Sequence, residues 1–449
     1  ATMFGIPIYL SLQIKRNNTM NCNKTMLILL MLTLGQLTGG YAQLLNMQLF
    51  ELEDVIFEKI ETPKGYEAAY KLKVKQPLDH QHPEKGHFYQ TVWLSHKGYN
   101  RPTTIITNGY YAPANRVAEI SALLGSNQVS VEHRYFGPSS PKVIDYQYLN
   151  MEQVAADLHH IRTLLGKIYE GKWVSSGISK GGQTTIMYRY FYPKDVVASV
   201  PYVAPLNLAY EDERIYTFLD TVGTDACRQA IKDFQIRLLK NQKKIMPMLK
   251  WYSKGKGHTY EYLGMGAAFE YAVLEYSFSF WQWGEDCADV PGKDATIEED
   301  LAHLLDVIEI GFFADKDIDY YATHYYQAGN ELGYYGYATE AFTKYLKALP
   351  TNPHPHAVFS PKKRAIPYEG KLAQDVSKWL ASEGNRFIYI YGGNDTWSAT
   401  RVPESDKVDA LWYVMPGKHH GNARIRNLTK TQKREMITKL ESWLEQDLR

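Results

Sequence analysis

Cysteine is scarce in this chain, with three in 449 residues. That excludes a small scaffold stapled by many disulfides, and it excludes a cysteine-rich metal cluster. No stretch reaches 18 continuous apolar residues, so no ordinary membrane-spanning helix is encoded. Neither sign of charge is in excess. Lys plus Arg number 50 and Asp plus Glu 49, spread along the chain, which removes the basic footprint of a nucleic-acid binder. Internal repeats and low-complexity segments are also missing. What remains is 45% hydrophobic and 22% charged, the composition of a globular enzyme. The length allows two or three domains, or one large α/β domain with an insertion. Tyrosine is the one abundant outlier at 35 residues, and it suits a lined cleft as well as an aromatic core.

The first 42 residues read as a leader and a secretory signal peptide. Lys24 precedes an apolar run over 26–34, and Gly40-Tyr41-Ala42 offers the small residues a signal peptidase reads. Initiation is expected at Met20, with Met3 as the alternative, and the mature chain from Gln43. The expected location is secreted or periplasmic. Cys22 falls in that segment. Cys227 and Cys287 are left as an even pair in an oxidising compartment, and one disulfide between them is expected.

The pattern of elements points to an α/β fold. Residues 66–74 and 87–94 alternate like an antiparallel pair. Short β-branched or apolar runs at 103–107, 128–132, 173–176 and 196–200 read as strands. A helix capped by Asn150 separates the second run from the third. After Pro205 the rhythm breaks, and 207–360 carries helical patterns and aromatic runs with few strands. It resumes with a helix near 372–381, strands at 387–391 and 410–414, and a last helix over 429–444. The expected organisation is one α/β domain, 43–206 with 361–449, and a mainly helical cap inserted at 207–360.

The chemistry centres on Gly177-Ile-Ser179-Lys-Gly181. A strand-like run leads in and a helix-like run leads out. That is the context of a nucleophile elbow, where the turn leaves no room for side chains beside the serine. Two later segments complete the set. Gly392-Gly-Asn-Asp395-Thr-Trp397 places an acid beyond one strand end. Gly417-Lys-His419-His420-Gly421 places histidine beyond the next. The order Ser, Asp, His is that of the α/β-hydrolases. His420 would take the proton of Ser179, and Asp395 would orient the imidazole. The Lys180 backbone N–H would be one oxyanion donor. The second would come from the Asn108–Tyr111 loop, at Gly109 or Tyr110. No metal site is expected, because His80, His82 and His87 with Asp79 and Glu84 match no ligand spacing. Gly264-Met-Gly266 follows no strand, so nucleotide binding is not expected, and no cofactor is implied.

Gly177-Ile-Ser179-Lys-Gly-Gly, Glu132-His-Arg-Tyr-Phe, Gln76-Pro-Leu-Asp-His and Asn394-Asp395-Thr-Trp397 together resemble the secreted bacterial prolyl tri/tetrapeptidyl aminopeptidases. Those serine peptidases are related to prolyl carboxypeptidase and lysosomal dipeptidyl peptidase. The resemblance spans 48–445. It implies an α/β-hydrolase with a helical cap that releases short peptides, tripeptides foremost, from free N-termini, favouring proline at P1. Among adjacent histidines, the one before Gly421 fits the family, so His420 is chosen over His419. Lys180 matches the aminopeptidase branch, whereas Thr396 stands where proline is common. Substrate ammonium needs a carboxylate partner. Glu331 is the leading candidate, with Glu211, Asp212 and Glu213 as alternatives. Trp281, Trp283 and Trp397 are the candidate walls of a proline pocket. An esterase or lipase on the same fold, or a silent peptide-binding protein, are the competing readings.

Overall fold

The computed structural model describes residues 44–350, 353–354 and 358–448. The expected signal peptide lies outside them. The chain divides into two compact units, 1–51 and 52–449. Of the first, the described part is helical over 44–50. Everything below concerns the second. No helix among the described residues is long and apolar enough to cross a membrane.

A nine-stranded mixed sheet forms the centre, in the order β1-β2-β3-β5-β4-β6-β7-β8-β9. β1 (Val55–Lys59), β2 (Ala68–Pro77) and β3 (His87–His96) form an antiparallel meander, and β3 pairs antiparallel with β5 (Asn127–Val131). From there β4 (Thr103–Thr107), β6 (Trp173–Ile178), β7 (Ala198–Tyr202), β8 (Ile388–Gly392) and β9 (Leu411–Met415) run parallel. The sequence reading holds for eight of these strands. It passed over β1, a short edge strand whose residues Val55 and Phe57 are only partly buried and whose other three are exposed.

Helices cover both faces of the parallel part. One face packs α1 (Glu119–Leu124) and α11 (Lys430–Leu444) against Val174, Val200, Ile388 and Ile390. The other packs α2 (Met151–Gly166), α3 (Lys180–Phe191) and α10 (Lys371–Ser382) against Phe387, Tyr389 and Tyr391. β8 therefore sends alternate residues to opposite layers, as a period of two requires. This is an α/β-hydrolase sheet.

Between β7 and β8 the chain leaves the sheet. It forms α4 (Glu213–Thr221), α5 (Asp225–Lys240), α6 (Gln242–Lys256), α7 (Met265–Trp283), α8 (Ile297–Val307) and α9 (Asp315–Gln327). These helices share an apolar cluster of their own around Phe234, Phe269, Tyr276 and Phe313. The cluster supplies what the helices need, since none could bury its face against the sheet alone. Cys227 and Cys287 are joined by a disulfide across α5 and the turn after α7, as expected.

Candidate active site

The elbow is closed by steric necessity. A Cβ on Gly177 would lie 2.2 Å from the Gly181 carbonyl oxygen, and one on Gly181 would lie 2.4 Å from the Thr107 oxygen. Ser179 between them takes φ 58° and ψ −127°, a conformation that L residues adopt only when the surroundings impose it. Its N–H donates to the Tyr202 carbonyl and its carbonyl accepts from Gln183 N–H, so strand β7 and helix α3 both hold it. The hydroxyl sits at the helix N-terminus, where Lys180 is the first helical residue.

The acid and the histidine come from the next two strand ends. Asp395 follows β8 and is fully buried. Trp397 N–H donates to its Oδ1 at 3.1 Å and Ser398 Oγ to its Oδ2 at 2.8 Å. Both carboxylate oxygens also face His420 Nδ1, at 3.1 and 3.0 Å. A ring nitrogen pointing at a carboxylate is a donor, which leaves Nε2 as the basic nitrogen. His420 is held from behind by its N–H to the Gln282 carbonyl, at 3.0 Å, and Trp283 meets its ring edge-on at 6.0 Å. The neighbouring His419 turns elsewhere. Its Nδ1 accepts from Gly421 N–H, and its ring fills the space beside Gly284. The Asp395 bond thus distinguishes the two histidines.

Ser179, Lys180, Tyr110 and His420 line one cavity of about 650 Å³. Trp283 and Trp397 also line it, beside Tyr334, Tyr335 and Phe313. The volume is ordinary for a small-molecule or short-peptide site. No hydrogen bond joins the Ser179 hydroxyl to His420 among the described residues. Such contacts often tighten only with substrate in place. Gly109 packs on the elbow itself; a Cβ there would lie 2.6 Å from Lys180 Cβ and 2.7 Å from Gly181 N.

Two expected substrate residues are not brought to this cavity. Trp281 is buried against Gly223 and lines a separate cavity with Phe278 and Tyr337. Helical spacing decides this: Trp281 and Trp283 project about 200° apart on α7. Glu331 also stands outside the lining. Its carboxylate accepts the Met151 N–H at 2.8 Å, satisfying an orphan donor at the start of α2. Of the alternatives, Glu211 pairs with His354 and Asp212 with Arg214. Neither lines the cavity, nor does Glu213.

The carboxylates that do line it are Glu275, Glu285, Asp306, Glu309 and Asp317. Glu275 differs from the rest because it is buried. Tyr335 and Tyr337 hydroxyls each donate to its Oε2 at 2.8 Å, and Ser279 donates to Oε1 at 3.0 Å. Burial pushes its carboxyl up to about 7, against these three hydrogen bonds, and no cation is among the groups acting on it. The sequence carried a signal for it. Glu275 sits mid-helix in Phe269-Glu-Tyr-Ala-Val-Leu-Glu-Tyr-Ser-Phe, where an acid interrupts an apolar face.

The PS-10 peptidase S37 family profile matches residues 49–446. The chain belongs to the PS-10 peptidase S37 family. This S37 chain is a serine peptidase. It is 32% identical over 384 residues to the prolyl tri/tetrapeptidyl aminopeptidase of Streptomyces mobaraensis, covering 83% of this chain and 79% of that protein. A serine protease of Bipolaris victoriae is 35% identical over 107 residues, 20% of each chain. Among solved structures, proline iminopeptidase from Mycobacterium smegmatis aligns at 13% identity and TM-score 0.41, covering 83% of this chain and 97% of that one.

Proposed function

We propose that this S37 peptidase is a secreted or periplasmic aminopeptidase that releases short peptides, tripeptides foremost, from free N-termini and favours proline at P1. Ser179 is the nucleophile. Its Oγ bonds to the scissile carbonyl carbon while its proton passes to His420 Nε2. That proton then goes to the departing amine as the C–N bond breaks. Water, deprotonated by the same nitrogen, releases the peptide and restores the serine. Asp395 holds the imidazole and balances its charge. The Lys180 N–H and a peptide N–H of the Gly109–Tyr110 segment stabilise the oxyanion.

The observation that carries this reading is the buried Asp395–His420 pair facing the cavity that Ser179 enters at a strained turn. The helical segment 207–360 acts as the cap that closes the cavity over the strand ends. Glu275 is the partner of the substrate ammonium, in place of Glu331. A buried carboxylate without a cation gains most from a charged ligand. Trp397 and Trp283 form aromatic walls for the P1 side chain.

The test uses the chain from Gln43 and a fluorogenic tripeptide amide ending in proline, with free and acylated N-termini. Cleavage of the free form alone, abolished by Ser179→Ala, is the expected result. Equal cleavage of both forms would refute the aminopeptidase reading.

A further inference from the structure

The side chain of Lys180 has an unusual position for a lysine. It is almost fully buried, at 3% exposure, directly after the nucleophile. No carboxylate forms an ion pair with it among the described residues. Instead its Nζ donates to the Gly109 carbonyl at 2.9 Å and reaches His133 Nε2 at 3.1 Å. Tyr110 and Phe136 rings flank it, with centroids 5.5 and 5.6 Å away. An amine buried without a counter-charge is costly, so a retained one needs a structural reason.

The hydrogen bonds form a closed circuit. His133 Nδ1 faces the Arg134 carbonyl at 2.8 Å, so it must carry the proton, and Nε2 is left to accept from Lys180. His133 N–H donates to the Tyr110 carbonyl at 3.3 Å. The circuit runs from Lys180 to the Gly109 carbonyl, along the chain to Tyr110, across to His133, and back to Lys180. Both carbonyls flanking the Tyr110 residue are therefore held. A peptide unit is planar and trans, so its C=O and N–H point in opposite directions. Fixing the Gly109 carbonyl on Lys180 fixes the direction of the Tyr110 N–H in the same plane, and Tyr110 lines the cavity.

We infer that the Lys180 side chain is a positioning residue of the oxyanion hole, which locks the Gly109–Tyr110 peptide so that the Tyr110 N–H is the second oxyanion donor. The inference rests on the proposed hydrolytic reading of the site. One residue thereby serves twice: its backbone N–H faces the oxyanion, and its side chain orients the other donor. Burial pushes the amine well below the ordinary lysine range, toward a neutral form whose two N–H donors match the two acceptors present.

The test compares Lys180→Met and Lys180→Ala with the wild-type enzyme. The readouts are kcat and KM on the tripeptide amide, and inhibition by a peptide boronic acid ending in proline. The boronate forms a tetrahedral adduct that places an oxygen in the hole, so it reports the hole rather than substrate binding. For Lys180→Met, kcat is expected to fall roughly 100-fold or more, as when an oxyanion donor is lost. KM should stay within about threefold, and boronate affinity should weaken in step with kcat. Added propylamine should restore activity to Lys180→Ala and leave Lys180→Met unchanged. Near-normal kcat in folded Lys180→Met, or a loss expressed in KM with boronate affinity intact, would overturn the inference. Loss of the fold in both variants would make Lys180 a stability residue and overturn it too. Ser179→Ala run alongside keeps the two readings apart. Full activity there would refute the site, whereas an inactive Ser179→Ala with a fully active Lys180→Met refutes only the lysine's role.

Discussion

At the scale of single residues, what faces an acid tells more than its burial does. Asp395 and Glu275 are buried and Glu331 is partly buried, and the three differ in what faces them. Asp395 has a histidine, two hydrogen-bond donors and a place beyond a strand end. Glu331 has a backbone N–H. Glu275 has three hydroxyls and the cavity. Replacing Glu275 with Gln keeps the shape and removes the charge. The expected outcome is a rise in KM of about 100-fold for free N-termini, on the scale of breaking a buried charge pair, with kcat little changed. Steady-state kinetics on the free tripeptide amide would check it, and an unchanged KM would remove Glu275 from ammonium recognition.

At the scale of elements, two contacts of the helices inserted between β7 and β8 can be tested one at a time. The first is the Cys227–Cys287 disulfide, which closes a loop over a sequence separation of 60. Its removal by Cys227→Ala with Cys287→Ala is expected to cost about 2–5 kcal/mol, read from denaturant unfolding. The second is Glu331, at the turn after α9, on the first N–H of α2. Glu331→Ala should cost about 1 kcal/mol, as a lost helix cap does, while KM for free N-termini stays unchanged. A large rise in KM there would return Glu331 to the substrate site. The elements themselves were largely legible. β-branched runs, Asn150 before α2, and the glycines of the elbow each have a local cause that a sequence displays. β1 was passed over, because an edge strand with one partly buried face, Val55 and Phe57, and an exposed Ile56 between them shows no clean alternation.

At the scale of the whole molecule, two acids shielded from water make stability depend on pH. Burial raises both Glu275 and Glu331 from 4.5 to about 7. A raised carboxyl holds its proton more tightly in the folded state. Its contribution to stability is complete below about pH 4.5 and is lost as the pH rises through about 7. Thermal unfolding should therefore show a lower midpoint at pH 8 than at pH 5 from these groups. Glu275→Gln with Glu331→Gln should flatten that part of the profile. The same titration sets substrate binding in the opposite direction, because ammonium recognition needs the ionised Glu275. KM for free N-termini should fall as the pH rises from about 6 to 8, and a KM that rises over that range would contradict the assignment.

The sequence alone determined the fold class, the tight turn at Ser179, the placing of Asp395 and His420 beyond two strand ends, and the disulfide pairing. Each rests on local chemistry: a turn too tight for side chains, strands marked by short apolar runs, and two cysteines left to pair. Only the tertiary structure decided which carboxylate and which tryptophan reach the cavity. Trp281 and Trp283 are two residues apart in sequence but project to different cavities, because a helix turns about 100° per residue. Glu331 and Glu275 both lie between β7 and β8, and only their spatial partners tell them apart. The circuit of Lys180, Gly109 and His133 is likewise invisible in one dimension, since it joins residues 71 and 47 positions distant across three strand ends. Contacts of that span are fixed by how the layers pack, which no short window of residues contains.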